Sequence, residues 1–152
     1  MITLRDEIEI NATREQIFAW FSQFDANYLE WHPDHVACEY LEGTLCQEGS
    51  IVYAEEYLHG ELHKLKMRTT RYQPNSLIEY KVLGVSSWGR FVVEPKGNKT
   101  NFIAELHFGI RVPFLDKIID PILERLLAFQ LGSFRTHMKE EGQNLKAILE
   151  SG

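Results

Sequence analysis

No apolar run in the chain approaches the roughly 20 residues that a membrane-spanning helix needs, which excludes a helical span. Cysteine is scarce as well, with only Cys38 and Cys46 among 152 residues. Two thiols on neighbouring extended segments are too few for a disulfide framework, and in a reducing compartment they are expected to be free. The start, Met1-Ile2-Thr3-Leu4-Arg5-Asp6-Glu7, has no basic region followed by an apolar stretch, so no secretory signal is read and a cytoplasmic location is the expectation. Positive charge is in deficit: the net charge is −6, which disfavours a nucleic-acid partner because phosphate binding depends on clustered Lys and Arg. Lys64, Lys66, Arg68 and Arg71 do cluster, but at the spacing of a solvated strand face. Repeats, low-complexity segments and linkers are absent too, so one domain is expected over residues 1–152. That length buries about two-thirds of the unfolded surface, enough for a core without staples.

What is present is a clear change of period along the chain. Residues 2–10 alternate Ile2, Leu4, Ile8 and Ile10 with polar neighbours, the pattern of a half-buried strand. Thr13 with Gln16 forms a capping box, and Ile17, Phe18, Trp20 and Phe21 follow as the apolar face of a short helix. A second short helix is expected over Asp25 to Glu30. From Val36 to Arg111 the pattern is that of strands, with turn signals at Glu42-Gly43, His59-Gly60, Pro74-Asn75 and Pro95-Lys96-Gly97-Asn98. From about Phe114 to Glu150 the period is helical, with Leu123, Leu126, Leu127, Phe134, Met138, Leu145 and Leu149 on one stripe. Asp116 or Asp120 can start this helix, with Pro121 in its first turn. The order predicts an α+β helix-grip fold, a curved antiparallel sheet wrapped around a long C-terminal helix.

Some polar residues fall where apolar ones belong. If His59-Gly60 is a two-residue hairpin turn, Leu58 faces Glu61, Glu56 faces His63, Ala54 faces Leu65 and Val52 faces Met67. Glu55 opposite Lys64 and Tyr53 opposite Lys66 then suit a wet face, which leaves Glu56 and His63 on the apolar side. They either reach water at a frayed sheet end or point into the interior. On the terminal helix, a turn of about 100° per residue puts Glu141 between Phe134, Leu145 and Leu127, inside the apolar stripe. His137 lies one turn earlier on the same side and Gln130 two turns before that, whereas Arg135, Lys139 and Lys146 take the opposite face. A buried, ionised carboxylate needs a proton, a cation or a metal. His137 and Glu141, four residues apart, can share one ligand or make an ordinary hydrogen bond. A third polar element is Trp31-His32-Pro33-Asp34-His35, where Pro33 stiffens a turn that can present both imidazoles.

The whole chain, and especially the ending Arg135-Thr136-His137-Met138-Lys139-Glu140-Glu141-Gly142-Gln143-Asn144-Leu145, resembles the START and Bet v 1-like superfamily of polyketide cyclases, plant ligand carriers and lipid-transfer domains. That resemblance implies a cavity between sheet and helix for a small hydrophobic or aromatic molecule, held by an enzyme or by a carrier. The Trp-His-Pro segment resembles that of the phloretin and diacetylphloroglucinol hydrolases, which cleave an aryl ketone carbon–carbon bond at a zinc held by two His and two Glu. Residue by residue, the likeness implies metal ligands at His35 (or His32), Glu56 (or Glu55), His137 and Glu141. Such a set suits zinc, and iron, manganese and nickel accept the same ligand types. His32 and His63 are then candidates for proton relay, and Trp88 for stacking on an aromatic ring, with Phe134, Gln130 and Arg90 as further ligand contacts. In a carrier, Glu141 would anchor a polar group of the ligand or pair with Arg90. His59 and His107 are expected to face solvent.

Overall fold

A computed structural model describes residues 2–109 and 121–151, with side chains of the last helix described from residue 128 onward. The expected helix starts at Asp116 or Asp120 and the side chains of the stripe residues Leu123, Leu126 and Leu127 lie outside what is described. β1 (Ile2–Ile10) leads into α1 (Arg14–Phe21) and α2 (Phe24–Trp31); six strands follow, β2 (His35–Glu42), β3 (Ile51–Leu58), β4 (Glu61–Gln73), β5 (Leu77–Val82), β6 (Ser87–Lys96) and β7 (Lys99–Phe108). The last element is α3, described over Pro121–Glu150. The strands form one antiparallel sheet in the order β1-β7-β6-β5-β4-β3-β2, so β2 to β7 are a meander and β1 closes on β7.

Local chemistry sets these elements. Thr13 accepts a hydrogen bond from the Gln16 amide and the Gln16 side chain accepts from the Thr13 amide, the reciprocal box that starts α1. Ile17, Phe18, Trp20 and Phe21 are then all buried. Between β3 and β4, His59 (φ 56°) and Gly60 (φ 77°) both adopt left-handed backbone, as a two-residue turn matched to the strand twist requires. The turn fixes the register: Leu58 opposite Glu61, Glu56 opposite His63, Ala54 opposite Leu65 and Val52 opposite Met67. On the outer face, Lys64, Lys66, Arg68 and Arg71 are exposed.

α3 lies along the inner face of the sheet against β1, where Gly142 makes the approach possible. A β-carbon there would stand 3.1 Å from Asp6 Oδ2 and 3.5 Å from Ile8 Cγ2. A helix-interior glycine costs about 1 kcal/mol relative to alanine; here it lets helix and strand meet. Core aromatics from α1, α2, β6 and β7 pack as a block, Phe21 stacking on Phe91 (centroids 5.0 Å) and Phe102 (5.8 Å), with Trp20 and Trp31 edge-on. Among the described residues, no helix is long and apolar enough to cross a membrane. Cys38 and Cys46 are free.

Candidate metal centre

Three neighbouring strands put one polar residue each in a row on the inner face: His35 on β2 is opposite Glu56 on β3, which is opposite His63 on β4. The register shifts between His35 and Ala37. Such a bulge turns a side chain out of the regular alternation, so His35 points inward while Val36 is exposed. α3 lies over this row with His137 and Glu141, one helical turn apart, on its sheet-facing side.

The two histidines, Glu56 and Glu141 each offer an atom within 4.8 Å of the other three. His35 Nε2 and His137 Nε2 are 3.2 Å apart, each is 2.9 Å from Glu141 Oε1, and each is 3.4 Å from Glu56 Oε2. A tetrahedron with arms of about 2.1 Å, the usual Zn–N and Zn–O length, has edges of about 3.4 Å. These five separations match that figure or fall somewhat short of it. His35 Nδ1–H donates to the Tyr28 carbonyl (2.8 Å), which orients the ring so that Nε2 faces the other three groups. Glu56 is steadied from behind by the Tyr28 hydroxyl, which donates to Oε2 at 2.9 Å, and the Tyr28 ring stacks flat on His35 (centroids 3.8 Å).

Charge sharpens the fit. Side-chain exposure is 0% for His35, 9% for His137, 13% for Glu56 and 14% for Glu141. Among the described residues, no Lys or Arg pairs with either carboxylate. Burial pushes the Glu141 carboxyl up, but His137 and His35 outweigh it and hold its pKa at about 2. Burial likewise pushes the His137 imidazolium down, but Glu141 and Glu56 raise it to about 10. Two carboxylates converging on two imidazoles thus pull in positive charge, supplied by protons or by a cation.

Outer partners hold the set in place. The Trp31 indole donates to the Glu141 carbonyl (2.9 Å) and Asn144 Nδ2 donates to the Trp31 carbonyl (2.9 Å), tying the Trp-His-Pro turn to α3. His32 is buried, yet both its nitrogens are occupied: Nδ1 accepts from the Asp34 amide at 2.9 Å and Nε2 meets Glu140 Oε2 at 2.5 Å. Its ring packs on His137 (centroids 4.2 Å) and does not line the cavity, which removes it from the expected proton relay. Sequence reading missed Tyr28, Trp31 and Glu140 as supports. Their tasks rest on a carbonyl, an indole N–H and a tertiary contact, none of which residue type alone signals.

Next to this cluster a cavity of about 440 Å³ separates α3 from the sheet, walled by residues such as Leu58, Leu65, Met67, Val82, Phe91 and Leu106. His63, Gln130 and Phe134 line it as expected. His63 Nε2 is buried, with no hydrogen-bond partner among the described residues. Two expected ligand contacts are corrected. Trp88 and Arg90 project from the outer face of β6, because Ser87, Gly89, Phe91 and Val93 take the inner one. Trp88 stacks on His107 (centroids 3.9 Å) and Arg90 Nε pairs with Glu105 Oε2 at 2.7 Å, so Arg90 cannot serve Glu141. His107 is therefore covered by Trp88, and His59 packs against Phe134 (5.0 Å), so neither ring stands free in solvent. Glu55 faces outward, accepting from the Tyr53 hydroxyl at 2.8 Å, which leaves Glu56 as the inward carboxylate.

A curved seven-stranded sheet gripping a long helix over an apolar cavity is the helix-grip fold of the START and Bet v 1-like superfamily. The family model described as polyketide cyclase / dehydrase and lipid transport matches residues 1–139, and the chain belongs to that family. Among curated proteins, none matches. Among solved structures, the chain is similar to the Zhui aromatase/cyclase of a Streptomyces species (TM-score 0.77, 13% identity, covering 98% of this chain and 93% of that one). It is also similar to a START superfamily protein from Mycobacterium smegmatis (0.72, 17%, 98% and 97%). A polyketide-cyclase-like protein from Corynebacterium glutamicum is similar too (0.64, 22%, 97% and 91%). These likenesses establish the fold.

Proposed function

We propose that the protein is a zinc-dependent hydrolase that cleaves a carbon–carbon bond next to the carbonyl of a small aryl ketone. The observation that carries this reading is the four-residue cluster of His35, Glu56, His137 and Glu141, whose spacing fits one tetrahedral ion at the wall of an apolar cavity. The resemblance of the Trp-His-Pro turn to that of the phloretin and diacetylphloroglucinol hydrolases supplies the reaction class. Zinc bound there would contribute Lewis acidity, polarising a ketone oxygen and making water acidic enough to ionise near neutral pH.

The chain's own residues do the rest. His35 and His137 present lone pairs, and Glu56 and Glu141 balance the charge of the ion. The cavity wall excludes bulk water and holds an aromatic ring by apolar contact. His63, opposite Glu56 and with Nε2 unpartnered among the described residues, would hold or pass a proton at the substrate. Metal content by plasma mass spectrometry on untagged protein, with His137→Ala as control, tests the reading, followed by aryl ketone turnover. About one transition metal per chain, lost in the variant and accompanied by turnover, is the expected result. Metal-free protein that stays so after incubation with zinc would turn the assignment to a ligand carrier of the same fold.

A further inference from the structure

One half-buried phenol is used by none of the contacts described so far. Tyr80 on β5 is the cross-strand partner of Gly89 on β6. A β-carbon at Gly89 would lie 2.5 Å from the Tyr80 hydroxyl and 2.6 Å from Cζ, so the ring lies across the glycine, which leaves it room. Aromatic side chains cover cross-strand glycines in this way. The ring also leans on Phe91 (centroids 5.6 Å), which fixes its direction along the inner face. Tyr80 lines the cavity together with Glu56, His137 and Glu141. Its hydroxyl donates to no described residue, and the half-buried side chain stands at the cavity wall. Burial raises its pKa, and the charges of Glu141 and Glu56 raise it further, so it stays a neutral donor.

We propose that Tyr80 is a specificity-determining residue whose hydroxyl donates a hydrogen bond to an oxygen of the bound molecule, and that Gly89 is glycine because the phenol occupies its side-chain space. The cavity is thereby selective for apolar molecules that carry an acceptor oxygen over hydrocarbons of the same shape. The inference deepens the ligand class of the site proposed above, but its physics does not need the ion.

The test uses two probes that differ at one position, acetophenone and ethylbenzene, with binding measured by calorimetry on protein as purified and again after chelation. In chelated protein any preference for the ketone reads a protein donor and not a metal. Wild type is expected to favour acetophenone by about three- to tenfold, the worth of one net hydrogen bond. Tyr80→Phe is expected to bind both probes equally, with unchanged metal content and no loss in melting temperature, since the hydroxyl it removes serves no group of the described residues. Failure of either probe to bind, equal affinities in wild type, or a preference that survives in Tyr80→Phe would each overturn the proposal. Failure of the zinc reading appears separately, as absent metal in the purified protein.

Discussion

Two clusters of histidine and glutamate sit on opposite faces of the same sheet, and they differ in what balances the charge. On the outer face Glu105 meets Arg90 at 2.7 Å and His107 at 3.3 Å, with Arg5 at 3.7 Å and Trp88 covering the imidazole. Every charge there has its counter-charge within the chain. On the inner face the only described charge partners of Glu56 and Glu141 are imidazoles, with the Tyr28 hydroxyl donating to Glu56, and the two Nε2 atoms converge on the same point as the carboxylate oxygens. The outer cluster balances its carboxylate with arginines of the chain; among the described residues the inner carboxylates have no Lys or Arg beside them. Residue type does not separate the two, but that difference in counter-charge does.

Breaking the inner cluster should have the largest effect. His137→Ala is expected to abolish metal retention, beyond the about 10- to 100-fold loss in affinity typical of a lost outer partner; retained metal in this variant would remove His137 from the site. Tyr28→Phe, which takes only the hydroxyl from Glu56 and keeps ring and carbonyl, should weaken zinc about 10- to 100-fold in competition with a chelator. Unchanged affinity would mean that Glu56 needs no support.

Acid and base then sharpen the contrast in chelated protein. The pKa of His137 stands above its ordinary 6.5, so its contribution to stability is complete below that value and is lost as pH rises through about 10. That of Glu141 stands below its ordinary 4.5, so its contribution is complete above 4.5 and is lost as pH falls through about 2. The gap in melting temperature between wild type and Glu141→Gln should therefore be widest between pH 4.5 and 6.5 and close on either side; a gap independent of pH would mean that no such ion pair forms. The smallest effect belongs to the outer face. Arg90→Ala should cost at most about 1 kcal/mol by chemical denaturation, since the Arg90 side chain is 36% exposed, and should leave metal content unchanged.

The fold was legible because its signals are local. A capping box, a two-residue turn and a shift from period 2 to period 3.6 each leave their mark within a few residues. Glu56, His137 and Glu141 were legible for the opposite reason, as polar residues that break an apolar pattern. The choice of His35 over His32 was not legible, since it depends on the Asp34 amide occupying one ring and the Tyr28 carbonyl orienting the other. Trp88 and Arg90 were misplaced because the inner positions beside them are Ser87 and Gly89, too small and weakly apolar to mark their face. Gly89 is small because Tyr80 lies over it and the Glu105 carbonyl stands 2.8 Å from where a β-carbon would be, cross-strand facts that no window along β6 contains.

The ligand set also has a topological meaning. Its members come from the first residue of β2, the middle of β3 and the final helix, so one ion would close a loop of 21 residues from His35 to Glu56 and another of 81 from Glu56 to His137. In a chain whose two cysteines are unpaired, such an ion would take the part of a disulfide, restricting the unfolded ensemble most across its longest span. It would pin the helix to the sheet, so that chelation would loosen the cover of the cavity before its walls.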